Sequence, residues 1–340
     1  MKYLLILPLV VVLAACGAST DQPQATPPDE VVVLTHDSFA VSNDVLEKFS
    51  DSTGLKVRIV QNGDAGQLVN SAILSAGAPQ GDVLFGVDNT FLSRAERAGV
   101  FEDYQAPGAP AGLATAAPGV TPVDTGAVCL NYDTEYFADK RPPSSPADLV
   151  DPEYHDLTVV ENPATSSPGL AFLLTTVVTS PDWQQYWRDL KANGVKVVDG
   201  WQNAYYQQFS GGSGEGTRPI VVSYSTSPAA EVMFSDRAGA PAPTANVTAG
   251  CFQQVEYAGV LAGAANPQGA RQFVDFMLSQ TFQDDVGKQM FVYPVLPGAK
   301  VPRAFATYAP QPSDPVIMSP AEIADGRDEW IDEWSAIMGR

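Results

Sequence analysis

Past residue 30 the chain switches between two spacings of apolar side chains. The runs "VVVLTH", "LKVRIVQ" and "GDVLFGV" are short, rich in β-branched residues and have the composition of buried strands. Between them, "NDVLEKFSDSTG" and "AGQLVNSAILSAG" place apolar residues three and four apart, the helical period. Asn43 and Asp44 serve as helix-capping candidates and Gly54 as a stop. The resulting βαβαβ order predicts a parallel sheet flanked by helices, with any ligand held outside the carboxyl ends of the strands. A stretch rich in Pro, Gly and Ala, "YQAPGAPAGLATAAPGVTP", separates this unit from "VDTGAVCLNYD". A second unit follows in "LTVVENP", the helix "GLAFLLTTVVTS", "YWRDLKANG", "VKVVDG" and "PIVVSYSTS". The strand "CFQQVEYAGVL" then leads back to the first unit, so the chain crosses twice between two lobes. Near the C-terminus, Ser319, Pro320 and Glu322 form a capping box, and Ile323, Trp330, Ile331, Trp334 and Ile337 fall near one helix face as core.

A chain of 340 residues is long enough for two cores. A net charge of −20 disfavours nucleic acid and anionic lipid surfaces and favours a cationic ligand. Residues 1–15 begin with Lys2 and an apolar run too short to span a bilayer, as in a secretory signal peptide. "LAACG" resembles the bacterial lipobox, which makes Cys16 the lipid-bearing first residue of an exported protein anchored to the cell membrane and facing the periplasm or cell exterior. Residues 16–30, polar and Pro-rich, then form a flexible tether. Cys129 and Cys251 remain. In an oxidising compartment they most simply form a disulfide, two buried free thiols being the other reading.

Candidate chemistry concentrates at strand ends. Asp37 and Asp88 stand just past two strands, beside His36 in the first case, and Asp124 joins them as a third carboxylate. "TSSPGL" and "YSTSPA" place Ser166, Ser167 and Ser225 ahead of a Pro, a favoured helix opening that presents hydroxyls and free N–H groups. Trp201, Tyr205, Tyr224 and Phe291 supply rings at loops and strand ends. With only His36 and His155, no metal-ligand spacing, no Lys-Ser/Thr after the Gly-rich "SGGSGEGTRP" and no G-x-S-x-G elbow, the chain carries no enzymatic signature, cofactor motif or metal motif.

The ordered segments "THDSFA", "DVLFGVDNTFL", "PVDTGAVCLNYD", "NPATSSPGLAFLL", "DGWQNAY", "VVSYSTSPA", "QQVEYAG", "YPV" and "SPAEIADGRDEWIDEW" resemble the thiamine-binding substrate-binding proteins of bacterial ABC transporters. The resemblance implies an α/β, two-lobe periplasmic-binding-protein fold of type II, each lobe a mixed sheet flanked by helices, joined by a two-strand hinge. Lobe 1 is then 31–125 with 256–340 and lobe 2 is 126–255. It implies a monomer that delivers thiamine or a thiamine phosphate to a permease and its ATPase, with Ser166, Trp201, Tyr224 and Asp37 as the foremost ligand contacts. His36, Phe291 and Ala230 depart from the aromatic residues such proteins carry at those positions. A ferric-ion binder of the same fold is the alternative, suggested by the adjacent Tyr205 and Tyr206.

Overall fold

A computed structural model describes residues 28–110, 119–235, 239 and 241–340. Cys16, the expected signal peptide and residues 16–27 of the expected tether lie outside the described residues.

The first βαβαβ unit forms as the spacing predicts: β1 (Glu30–Thr35), α1 (Asn43–Thr53), β2 (Lys56–Gln61), α2 (Ala65–Leu74) and β3 (Val83–Asp88). The three strands pair in parallel, β1 lying between β2 and β3. Gly54 ends α1 in the left-handed conformation at φ 75°, as expected of a glycine stop. The cap position is Ser42 rather than Asn43, and its hydroxyl is spent on Asp285, 2.8 Å away. Side chains of β1 alternate: Val31 and Val33 face one core with Phe49, Phe85, Phe273 and Phe282, while Leu34 faces another with Leu84, Phe91 and Trp334.

After α3 (Leu92–Arg97) come β4 (Thr121–Asp133), β5 (Thr158–Glu161), α4 (Ser167–Thr179), α5 (Trp183–Ala192), β6 (Lys196–Val198), β7 (Ile220–Tyr224), α6 (Ser227–Phe234) and β8 (Thr244–Val260). The chain closes with α7 (Pro267–Met277), α8 (Gln280–Gln289), β9 (Tyr293–Pro294), α9 (Arg303–Tyr308) and α10 (Pro320–Met338). Among the described residues the strands join one mixed sheet in the order β2-β1-β3-β8-β4-β7-β5-β6, with β9 on β4. The long strands β4 and β8 run antiparallel through its middle and are shared by both flanks.

Their ladder breaks where Val128 pairs with Phe252 but Leu130 pairs with Val247, so residues 248–251 of β8 bulge out of register. The Cys129–Cys251 disulfide sits at this break. The capping box of α10 is complete, and Trp334 is buried edge-to-face on Trp187 of α5, 5.7 Å between centroids. Since α10 also packs on α3, it lies across both flanks of the sheet.

Candidate functional site

Loops from both flanks enclose a cavity of about 330 Å³, within the range of small-molecule sites. His36, Asp37, Ser38 and Phe39 enter it from the loop after β1, Asp64 from the turn before α2, and Glu256 from β8. The opposite wall carries Trp201, Tyr205, Tyr206, Tyr224 and Ser227, and Phe234 and Phe291 meet at 4.8 Å.

The ring wall is built by local geometry. Trp201 precedes a π-helical turn, Asn203–Gln208, which is wide enough to bring both Tyr205 and Tyr206 to the cavity. Trp201 stacks on Tyr205 at 5.1 Å and 24° and meets Tyr224 edge-on at 6.0 Å. Its indole N–H donates to Ser223 Oγ at 2.8 Å, which lies 2.8 Å from Ser227 Oγ at the start of α6. Tyr205 is buried with its hydroxyl donating to Glu231, whereas Tyr206 is 41% exposed.

Carboxyl groups dominate the rest. The lining holds Asp37, Asp64, Glu231 and Glu256 and, among the described residues, no Lys or Arg, which leaves His36 as the group there that can carry positive charge. His36 Nε2 lies 3.4 Å from Glu256 Oε1. Burial works against its protonation, but Glu256, then Asp64 and Asp37, raise its pKa above 6.5. Burial also opposes ionisation of Glu256, yet the His36 charge and a proton from Asp124 hold it below the usual glutamate value. Asp124 is pushed well above the carboxylate range by burial and then by the Glu256 charge. Behind Asp64, fully buried Glu161 is likewise pushed well up by burial and then by the charge of Asp64.

Of the sequence candidates, His36, Asp37, Ser167, Trp201, Tyr205, Tyr224 and Phe291 line the cavity. Asp88, Asp124, Ser166 and Ser225 lie behind its wall. Asp88 caps the turn after β3, accepting from Thr90 and Phe91 backbone N–H groups. Asp124 pairs opposite Glu256 in the sheet. Buried Ser166 faces Asp64, and the Ser225 N–H donates to Ala127 O at 2.8 Å. Asp64, Gln202, Glu231 and Glu256 escaped the sequence reading. Asp64 had a usable signal, a carboxylate just ahead of a helix that follows a parallel strand; Glu256 had another, an acid inside an otherwise apolar strand.

Hydrogen bonds join the flanks at and beside the cavity. Asp64 Oδ2 accepts from Trp201 N at 2.9 Å, Thr165 O from Gly66 N at 3.0 Å, and Asp37 O from the Gln202 side chain at 3.0 Å.

A sheet entered by parallel strands from each side, two shared strands through its middle and a cavity between the flanks define a type II periplasmic-binding-protein fold, a class that captures small solutes. The chain belongs to the bacterial extracellular solute-binding protein family, which matches residues 79–312. It is 31% identical over 324 residues to the thiamine-binding periplasmic protein of Escherichia coli K12, covering 91% of this chain and 94% of that one. A solved periplasmic thiamin binding protein superposes with a TM-score of 0.78 at 27% identity over 92% of this chain and 96% of its own. The ferric binding protein of Campylobacter jejuni shares the fold at a TM-score of 0.72 and 15% identity, over 90% and 99% of the two chains.

Proposed function

We propose that the protein captures thiamine outside the cytoplasmic membrane and delivers it to an ABC permease and its ATPase. The observation that carries this reading is the cavity itself: a ring wall around Trp201 facing Asp37, Asp64 and Glu256, with no Lys or Arg among the described residues. A flat, cationic, hydroxyl-bearing ligand matches all three features, with rings for stacking, carboxylates for the charge and the Ser167 and Ser227 hydroxyls for polar groups. Relatives that bear the name thiamine-binding support the same ligand.

In this reading 31–125 with 256–340 and 126–255 move as two lobes about β4 and β8, with α10 laid across both. The ligand meets His36, Asp37, Asp64, Ser167, Trp201, Tyr224 and Phe291. Asp88, Asp124, Ser166 and Ser225 hold those groups in place. The protein works as a monomer anchored through lipid on Cys16. Iron is the weaker candidate, because the Tyr205 hydroxyl is already committed to Glu231 and its ring to Trp201.

Calorimetric titration with thiamine, its mono- and diphosphate and a ferric complex tests the reading. Saturable one-to-one thiamine binding is expected. A ferric charge-transfer colour without thiamine binding would overturn it. Mass spectrometry of detergent-extracted protein is expected to find Cys16 lipidated.

A further inference from the structure

We infer that His36 is a positioning residue: its neutral imidazole holds the Asp37–Ser38 turn at the cavity through Nδ1, and protonation releases that turn and with it the ligand. The inference rests on the thiamine reading for the last step only.

The geometry is specific about the ring. Ser38 N–H donates to His36 Nδ1 at 3.2 Å, two residues on in the chain, the bond an Asx turn makes with an Asn or Asp oxygen. An accepting Nδ1 carries no proton, so the Nε2–H form faces Glu256 Oε1 at 3.4 Å. Protonated imidazole has two donors and no acceptor, which turns the Ser38 bond into donor against donor.

Toward β3 the ring has no room to move. Gly86 has φ +96°, and a Cβ there would stand 2.1 Å from His36 Cδ2, so the backbone of β3 lies directly against the imidazole. Phe85 closes another side at 5.8 Å between ring centroids. The turn therefore yields, and what it carries is functional. The Asp37 carboxylate lines the cavity, and the Asp37 carbonyl accepts the Gln202 side chain across it.

The acidic groups around the ring bring protonation within reach near neutrality. Glu256 faces it from β8 with Asp124 of β4 behind, Asp64 from the turn before α2, and Asp37 from its own loop. Among the described residues, no Lys or Arg lines the cavity to oppose them. A cationic ligand competes with the imidazolium for the same carboxylates, so binding expels the proton. Affinity then falls by up to about tenfold for each pH unit below the His36 pKa.

Two measurements test this. In 15N-histidine spectra of the ligand-free protein, with His155→Gln assigning the second ring, His36 should populate the Nε2–H tautomer at pH 8. The Ser38 amide should shift in step with the ring on acidification. An Nδ1–H tautomer, or a Ser38 amide indifferent to the titration, would overturn the inference whatever the ligand is. Thiamine titrations between pH 6 and 8 then separate the roles of the two nitrogens. His36→Asn keeps an acceptor at the Nδ1 position and should bind with the same affinity at pH 6 and pH 8, the loss of the ring's own contact lowering it equally at both. His36→Gln reaches toward Glu256 instead and should bind at least about tenfold more weakly at both pH values. An Asn variant that follows the wild-type pH profile would overturn the proposal. Absence of thiamine binding at every pH would overturn the ligand reading and leave the spectra to decide the role of His36.

Discussion

Asp64 serves two masters with its two oxygens, and a single atom change separates them. Oδ1 accepts from Ala65 N at 2.6 Å and caps α2; Oδ2 accepts from Trp201 N at 2.9 Å across the cavity. The first bond exists whether the cleft is open or closed, so it contributes to stability but cancels from affinity. In the proposed two-lobe movement the second is made only when the lobes close. A hydrogen bond to a charged acceptor contributes about 1.5–3 kcal/mol, and each 1.4 kcal/mol is a factor of ten. Losing it should weaken thiamine binding by roughly ten- to hundredfold, and the loss of a carboxylate facing a cation acts in the same direction. Asp64→Asn keeps one oxygen for the cap, a role in which Asn matches Asp, but turns an N–H toward Trp201. Asp64→Ala loses both bonds and should cost a further 1 kcal/mol or so in stability. Calorimetry with thiamine, beside thermal melts of the ligand-free variants, measures both. Unchanged affinity in Asp64→Asn, or equal loss of melting temperature in the two variants, would refute the division of labour.

Other outcomes follow from the same geometry. The Cys129–Cys251 bond spans 122 residues of sequence, so replacing both cysteines with Ala should cost about 5 kcal/mol in the chain-entropy treatment, on the order of 10 °C in a melt. Burial, opposed by hydrogen bonds from Thr90 and Ser167, pushes Asp88 up to about 6 from 3.8. An acid whose folded pKa is raised stabilises the native state below its unfolded pKa and loses that contribution as pH rises through the folded value. Between pH 4 and 7 this amounts to about 2.4 kcal/mol, and urea melts of Asp88→Asn should lack that slope. Phe291 holds a left-handed backbone at φ 57°, unusual for a residue with a side chain, and meets Phe234 beside the cavity. Phe291→Gly should relieve about 1 kcal/mol of backbone strain yet speed thiamine dissociation, a split that stopped-flow fluorescence and thermal melts resolve together.

The elements were legible because their signals are local. The valines of β1, Gly54 and the Ser319/Glu322 box each depend on neighbours within a few positions, and each appears where its spacing places it. The cavity was legible where a residue lies at a strand end or opens a helix, as Asp37, Ser167 and Tyr224 do, and where a ring sits in a connecting segment, as Trp201, Tyr205 and Phe291 do. The same rule, applied without distances, also selected Asp88 and Ser166, which lie one layer too deep because buried turns and caps use the same residue types as ligand sites. The His36–Glu256 contact joins residues 220 positions apart, and no pattern within either segment announces the other. Ser42 shows the converse: a hydroxyl suited to capping α1 bonds Asp285 instead, a tertiary contact overriding a local preference.

Because β4 and β8 each belong to both flanks, neither half of the sheet is complete without strands that also complete the other. Unfolding one flank would strip the other of its central ladder, so the transition should be a single cooperative melt rather than two steps. For the same reason, a protease that nicks a surface loop should leave the fragments associated, and no cut within the chain should release a half that folds alone.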